Sequence, residues 1–155
     1  MSRLIIAMAS ACYAGFLPWI PGTAGTGVGV LVYLLYSPLP PLLYLLSTGA
    51  FFTLACWISG RAEVLLGQKD SPKIVIDEVV GFLIAMAFIP GNGLSLAGGF
   101  LFFRVLDIIK PPPANWVNRE MRGGWAVVLD DAIAGVYTNL LLRLTAVFYP
   151  GIFLD

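Results

Sequence analysis

Seven ionisable residues stand near the ends of strongly apolar segments of this sequence. They are Asp77, Glu78, Arg104, Asp107, Lys110, Asp130 and Asp131. Two acids open the segment 74–89, two open the segment 125–149, and the other three residues close the segment 94–109. A carboxylate in such surroundings costs several kcal/mol unless it is paired or binds a cation. We therefore take these seven residues as the candidates for catalysis.

The acids in this set outnumber the bases. Arg104 and Asp107 are three residues apart, so a single ion pair on one helix face could satisfy that segment alone. The excess of acids remains and implies a bound cation. Oxygen ligands suit Mg²⁺, Mn²⁺ or Ca²⁺ better than zinc or copper, and Mg²⁺ is the expected ion in a cytoplasm-facing site. The candidate ligands are Asp77, Glu78, Asp107, Asp130 and Asp131.

A glycine- and threonine-rich segment, Pro-Gly-Thr-Ala-Gly-Thr-Gly at 21–27, precedes an apolar stretch at 28–36. Small residues, free backbone N–H groups and hydroxyls just before a helix are the components of an anion-binding turn. The segment is not a P-loop, because no lysine follows its second glycine. The alternative is a device for close packing. The candidate phosphate-binding residues are Pro21, Gly22, Thr23, Gly25 and Thr26, together with Arg104 and Lys110.

The absence of histidine excludes whole classes of mechanism. Ser/His/Asp triads, Cys/His pairs and His-ligated zinc all require it. Cys12 and Cys56 lie in apolar stretches without a neighbouring base, so we interpret both as small buried hydrophobes. Any catalysis must depend on carboxylates, arginine, lysine, hydroxyls or a metal ion.

The elements that position these groups must be membrane helices. The 155 residues are 59% hydrophobic and 12% charged, with a mean hydropathy of +0.88, which is far from the composition of a soluble domain. No charge occurs at 4–60 or at 79–103. A helical bilayer crossing needs about 20 apolar residues, so each of these two segments is long enough for at least one crossing, and open sheets are excluded by their unpaired edges. We therefore predict one all-α domain over 1–155. It has about four transmembrane helices plus a short N-terminal interfacial or reentrant helix at 4–17, which we expect to remain in the mature protein.

The basic residues of the connectors predict the topology. The connectors 61–73 and 110–124 each carry three Lys or Arg and are two spans apart, so both should face the cytoplasm. The turns at 37–41 and 90–93 then lie outside, and the 21–26 segment lies at the cytoplasmic face. Asp77 and Glu78 then lie about a turn below Lys73, and Asp107 lies about a turn below Lys110, so the ionisable candidates converge in one layer at that face. The net charge of zero argues against a nucleic-acid partner.

Four strings in this order resemble the phosphatidylglycerophosphatase A family. They are PGTAGT at 21–26, IDEVVG at 76–81, FRVLDIIKP at 103–111 and GGWAVVLDDAIAG at 123–135. The resemblance implies a magnesium-dependent lipid phosphatase of the bacterial cytoplasmic (inner) membrane, a multi-pass protein with its active site facing the cytoplasm. Its substrate would be phosphatidylglycerol phosphate, and its product phosphatidylglycerol. Ala126 and Val128 depart from the usual Gly and Met of the family.

The resemblance and the residues imply the same reaction class, metal-assisted hydrolysis of a phosphomonoester. Some of the acids would hold Mg²⁺, while Arg104 and Lys110 would neutralise developing charge. Asp107 is either a further ligand or a partner that holds Arg104, and direct attack by an aspartate stays open. The alternative functions are a small divalent-cation or proton-coupled transporter, or a structural subunit whose acids pair with a partner.

Overall fold

The structure is a computed structural model in which residues 2–149 are described, and these residues form an all-helical protein, as predicted. Its helices are α1 (Ser2–Ala9), α2 (Pro21–Tyr36), α3 (Pro41–Leu66), α4 (Ile76–Ala85), α5 (Gly93–Ile109), α6 (Ala114–Glu120) and α7 (Gly124–Phe148), with a 3₁₀ turn at Ala14–Phe16.

Prolines, a glycine and an asparagine set many of the helix ends. Pro21 and Pro41 occupy the first position of α2 and α3, where the missing N–H costs nothing. Gly67 ends α3 with a φ of 66°, the left-handed conformation that glycine adopts without strain. Asn92 caps α5 by accepting a hydrogen bond from the Ser95 amide at 2.9 Å.

Helix α4 is the centre of the fold. All of its residues except Ile84 are buried, and it packs against α2, α3, α5 and α7. Two apolar clusters surround it, one toward α1 and α3 around Val80 and the other toward α5 around Phe82. A helix that is buried on every side positions its polar residues rigidly, because the neighbouring helices fix it from all directions.

Glycines allow the closest helix contacts. A methyl group on Gly135 would collide with the carbonyl oxygen of Gly81, and a methyl group on Gly124 would collide with the carbonyl oxygen of Cys56. Helix α4 therefore packs closely on α7 through Gly81 and Gly135. Glycine at such positions brings two helix backbones together, as in many membrane proteins.

Polar side chains satisfy the backbone around the C-terminal end of α4. The Tyr44 hydroxyl donates to the carbonyl of Leu83 at 2.6 Å. The Asn139 amide donates to the carbonyls of Ala85 and Ala87, at 2.9 Å each. Similar hydrogen bonds run from Tyr33 to the carbonyl of Ile89 and from Arg143 to that of Ala87. A helix that ends inside an apolar environment needs such partners for its last carbonyl groups.

Among the described residues, α3 and α7 are long and apolar enough to cross a membrane. The predicted apolar segments 94–109 and 125–149 correspond closely to α5 and α7. The segment 74–89 does not form the predicted full span: α4 has 10 residues and is about 15 Å long, half of a bilayer core. Residues 114–120, predicted as a connector, form α6.

Candidate active site

Three carboxylates from two helices meet at one point. Asp77 and Glu78 lie in the first turn of α4, and Asp131 lies two turns into α7, each at most 9% exposed. One oxygen from each of the three lies within 4.8 Å of the others. We call these residues the carboxylate cluster. The positive N-terminal end of α4 stabilises the ionised carboxylates of Asp77 and Glu78 electrostatically.

The carboxylate cluster fits a hard metal ion. Glu78 Oε2 and Asp131 Oδ2 are buried and have no hydrogen-bond partner within residues 2–149. A buried carboxylate oxygen without a partner is costly, so native structures rarely leave one unsatisfied. Oxygen donors at this spacing are the ligands that Mg²⁺ and Ca²⁺ take in proteins. Among the acids described, Asp77, Glu78 and Asp131 are therefore the candidate metal ligands.

The other two predicted acids are engaged with basic groups. Asp107 accepts a hydrogen bond from Arg104 Nη1 at 2.5 Å, and Asp130 forms an ion pair with Lys110. Burial lowers the pKa of Lys110, but the carboxylates of Asp130, Asp131 and Asp107 together raise it by more, so the net pKa lies above the ordinary value of lysine. Lys110 is therefore a stable cation. The Arg104–Asp107 pair is the one that the sequence allowed as a self-contained ion pair.

Arg104 connects these ion pairs to the carboxylate cluster. Its Nη1 lies 3.9 Å from Glu78 Oε1 in addition to its bond with Asp107, and its side chain is 16% exposed. The guanidinium therefore stands at the edge of the cluster and keeps some access to solvent. An arginine in this position pairs well with phosphate oxygens, because its planar group presents several donors at once.

The glycine- and threonine-rich segment differs from the prediction in one respect. Residues 21–27 are the first two turns of α2 itself, not a turn that precedes a helix. Thr26 is fully buried, and its hydroxyl donates to the carbonyl of Gly22 at 2.9 Å, so its hydroxyl hydrogen is already engaged within α2. Gly25 packs against Val75. Pro21 is half-buried and Thr23 is exposed at the helix start.

Gly22 is the residue of this segment that touches the site. A methyl group at this position would lie 2.6 Å from Glu78 Oε1 and 2.8 Å from Arg104 Nη2. The first turn of α2 therefore rests directly on the Glu78–Arg104 pair. The first N–H groups of a helix have no partner inside the helix, and they attract anions. The positive end of α2 and the Arg104 guanidinium thus lie side by side next to the carboxylate cluster.

Asn118 is a site residue that the sequence did not indicate. Its side-chain amide donates to Asp130 Oδ2 at 3.0 Å and to Asp70 Oδ2 at 2.8 Å. Its main-chain carbonyl accepts a hydrogen bond from Lys69 Nζ at 2.9 Å. It therefore joins α6, α7 and the loop after α3 behind the Lys110–Asp130 pair. No motif marked it, because an asparagine in a polar connector has no distinctive spacing.

Comparison with known proteins identifies the family. The family model described as Phosphatidylglycerophosphatase A matches residues 7–146. Phosphatidylglycerophosphatase A of Escherichia coli strain K12 is 31% identical over 138 residues, which is 88% of this chain and 80% of the relative. The Haemophilus influenzae protein of the same name is 30% identical, over 83% of this chain and 80% of the relative.

A third relative carries a different name. The Putative phosphatidylinositol-3-phosphatase of Bacteroides thetaiotaomicron is 34% identical over 137 residues, which is 83% of this chain and 85% of the relative. No solved structure matches the chain. The family model covers most of the sequence and includes the segments that carry the carboxylate cluster, Arg104 and Lys110, so the chain belongs to the phosphatidylglycerophosphatase A family of phosphatases.

Proposed function

We propose that this protein hydrolyses the terminal phosphomonoester of phosphatidylglycerol phosphate, releasing phosphatidylglycerol and inorganic phosphate. The observation that carries the proposal is the carboxylate cluster, with two oxygens lacking partners, placed against Arg104 and the first turn of α2. A cation-binding group and an anion-binding group side by side suit a substrate phosphate bound through a metal. Membership of the family indicates that the substrate is a phospholipid with a phosphate group.

In this proposal the protein is a multi-pass protein of the bacterial cytoplasmic membrane. Helices α2 and α5 accompany α3 and α7 as the four membrane helices around the buried α4, although at 16 and 17 residues they are about 25 Å long. They expose leucines that suit lipid contact, including Leu35 at 75% and Leu101 at 60%. The basic residues near the site support a location at the cytoplasmic face, because short cytoplasmic loops are enriched in Lys and Arg.

The metal ligands, the two basic residues and the acids that pair with them have different roles in the proposed reaction. Magnesium held by Asp77, Glu78 and Asp131 would polarise the phosphoryl oxygens and lower the pKa of a bound water. Arg104 and Lys110 bind the phosphoryl oxygens and offset the charge that grows on them. Asp107 holds the Arg104 guanidinium, and Asp130 holds the Lys110 ammonium, so neither cation must be reorganised during the reaction.

In this proposal the lipid substrate reaches the site without leaving the bilayer. A phospholipid presents its phosphate at the membrane interface while its acyl chains remain in the bilayer. Gly22, in the first turn of α2, lies against Arg104, so a lipid phosphate bound by Arg104 would also face the positive end of α2. A second candidate substrate is a phosphatidylinositol phosphate, because the relative from Bacteroides thetaiotaomicron is named for one.

The test is phosphate release by purified protein in mixed micelles with phosphatidylglycerol phosphate or phosphatidylinositol 3-phosphate, with Mg²⁺ and with excess chelator. We expect release from phosphatidylglycerol phosphate that chelation abolishes and that Asp131→Asn reduces at least ~100-fold. Glu120→Gln, which neutralises an exposed acid on α6, is the matched control and should retain full activity.

Preference for the inositol lipid would replace the proposed substrate and leave the site assignment in place. If folded protein released no phosphate from either lipid, the phosphatase proposal would be refuted. Divalent-ion flux in proteoliposomes would then test the transporter alternative.

A further inference from the structure

A basic pocket lies apart from the carboxylate cluster, where the C-terminal end of α3 faces the link between α6 and α7. Its volume is about 390 Å³, which is in the range of small-molecule sites. Lys69, Arg119 and Arg122 line it together with Glu63. Glu63 Oε1 already accepts a hydrogen bond from the Asp70 amide at 2.7 Å, so the acid is partly engaged. The remaining charge of the pocket is positive.

The two arginines of this pocket have no protein partner in the described part of the chain. Lys69 donates to the carbonyl of Asn118, but neither Arg119 nor Arg122 makes a hydrogen bond or ion pair there. Arg119 lies in the last turn of α6 and Arg122 lies in the short link to α7, and both are exposed. Two unpaired guanidinium groups at a pocket mouth are suited to an anionic group such as a phosphodiester.

An apolar groove continues from the basic pocket along the bundle. It has a volume of about 470 Å³, lies between α3 and α7, and is lined mainly by Cys56, Trp57, Val64 and Trp125. Arg61 also lines it, with its guanidinium carbon 5.9 Å from the centre of the Trp57 ring. Val64 lines both cavities, so they are adjacent. The two tryptophans are 52% and 55% exposed. Helices α3 and α7 are also the two that are long and apolar enough to cross a membrane.

We propose that the basic pocket and the apolar groove together bind one anionic phospholipid that is not the substrate. The pocket takes the headgroup phosphate, and the groove takes the upper part of an acyl chain against the two tryptophans. Charge complementarity selects an anionic headgroup over a zwitterionic one. The continuity of the pocket with the groove selects a lipid over a soluble anion, because a free phosphate would leave the apolar part empty.

This lipid site is separate from the active site. None of the residues that line either cavity belongs to the carboxylate cluster or its ion pairs. The two sites are nevertheless linked through Asn118, whose carbonyl accepts from Lys69 and whose amide donates to Asp130. The inference depends on the membrane location proposed above, but its test needs no phosphatase activity, so the two proposals fail separately.

The experiment measures quenching of Trp125 by brominated lipid. A reporter variant keeps Trp125 and carries Trp19→Phe, Trp57→Phe and Trp116→Phe, so an aromatic ring remains at position 57 of the groove. It is placed in phosphatidylcholine nanodiscs that contain an increasing fraction of phosphatidylglycerol brominated near the headgroup end of its chains. Brominated phosphatidylcholine at the same fractions reports the ordinary contact of Trp125 with the bilayer.

We expect the anionic lipid to quench at a lower fraction than phosphatidylcholine. Arg119→Gln combined with Arg122→Gln should reduce this preference by about fivefold for each charge removed. Arg3→Gln, which removes an exposed arginine on α1, is the matched control and should keep it. Equal quenching by the two lipids would overturn the proposal. It would also be overturned if the preference survived in the double variant, or if millimolar inorganic phosphate abolished it at constant ionic strength.

Discussion

Replacing Gly22 by alanine tests the contact between α2 and the charged residues of the site. The new methyl group would lie 2.6 Å from Glu78 Oε1, 2.8 Å from Arg104 Nη2 and 2.9 Å from Arg104 Nη1. Ordinary contacts of such a carbon begin at 3.4 Å, so the Glu78 carboxylate must move by about 0.8 Å and the guanidinium by a little less. Both groups are ends of flexible side chains, and they can move without displacing the backbone.

The expected result is a loss of activity with little loss of stability. A displacement close to 1 Å in a catalytic group costs on the order of 100-fold in rate. Alanine is favoured over glycine inside a helix by roughly 0.5–1 kcal/mol, which offsets part of the cost of moving the two side chains. We therefore expect kcat/KM for the lipid phosphate to fall ~100-fold, with the free energy of unfolding changed by less than ~1 kcal/mol.

Gly27→Ala is the matched control, because it lies in the same helix and no atom is within 4 Å of the added methyl group. The assay is phosphate release per folded molecule, with thermal unfolding measured on the same preparations. Gly27→Ala should keep its activity and unfold at the same or a higher temperature. If Gly22→Ala were as active as Gly27→Ala, the placement of Arg104 and Glu78 against α2 would be wrong.

Three further predictions address the metal, the support of Asp130 and the end of α4. Mg²⁺ at ten times its Kd should stabilise the protein by ~1.4 kcal/mol in thermal unfolding, and Asp131→Asn should abolish that shift; a shift that persists would contradict the metal assignment. Asn118→Ala should lower kcat about tenfold with little change in KM, because it frees the Asp130 carboxylate; a change confined to KM would argue against this positioning role. Tyr44→Phe should cost ~1–3 kcal/mol of stability by leaving the Leu83 carbonyl unpaired, with activity per folded molecule unchanged; an unaltered unfolding temperature would contradict it.

The sequence predicted where the charged residues converge because the membrane restricts them so strongly. Acids at the start of two segments and bases at the end of another have few places to lie other than one face of the bilayer. The expectation that Glu78, Arg104 and Asp131 share a layer follows from that constraint, and the structure brings them together. Helix ends at prolines, as at Pro41, were predictable for a similar reason, since proline removes a backbone donor.

Other features depend on packing that local sequence does not encode. The residues after Ala85 are as apolar as those before it, so the sequence could not show that α4 ends there. The helical start of α2 runs against the weak helix propensity of glycine, and it forms because Gly25 and Gly29 pack closely on Val75 and Phe82. The division of the acids into the carboxylate cluster and two ion pairs likewise depends on how each helix is rotated about its axis, which residue spacing alone leaves open.

The packing and the hydrogen bonds at the C-terminal end of α4 also bear on the route by which inorganic phosphate would leave in the proposed reaction. Below the carboxylate cluster, Phe82, Leu83, Met86 and Phe103 are completely buried. Beyond them, Tyr44 and Asn139 already occupy the carbonyl groups at the end of the helix. Packed apolar side chains therefore close the side of the cluster that faces the C-terminal end of α4. In the proposed reaction, inorganic phosphate must leave on the side from which the lipid headgroup entered, so product departure and the arrival of the next lipid exclude each other.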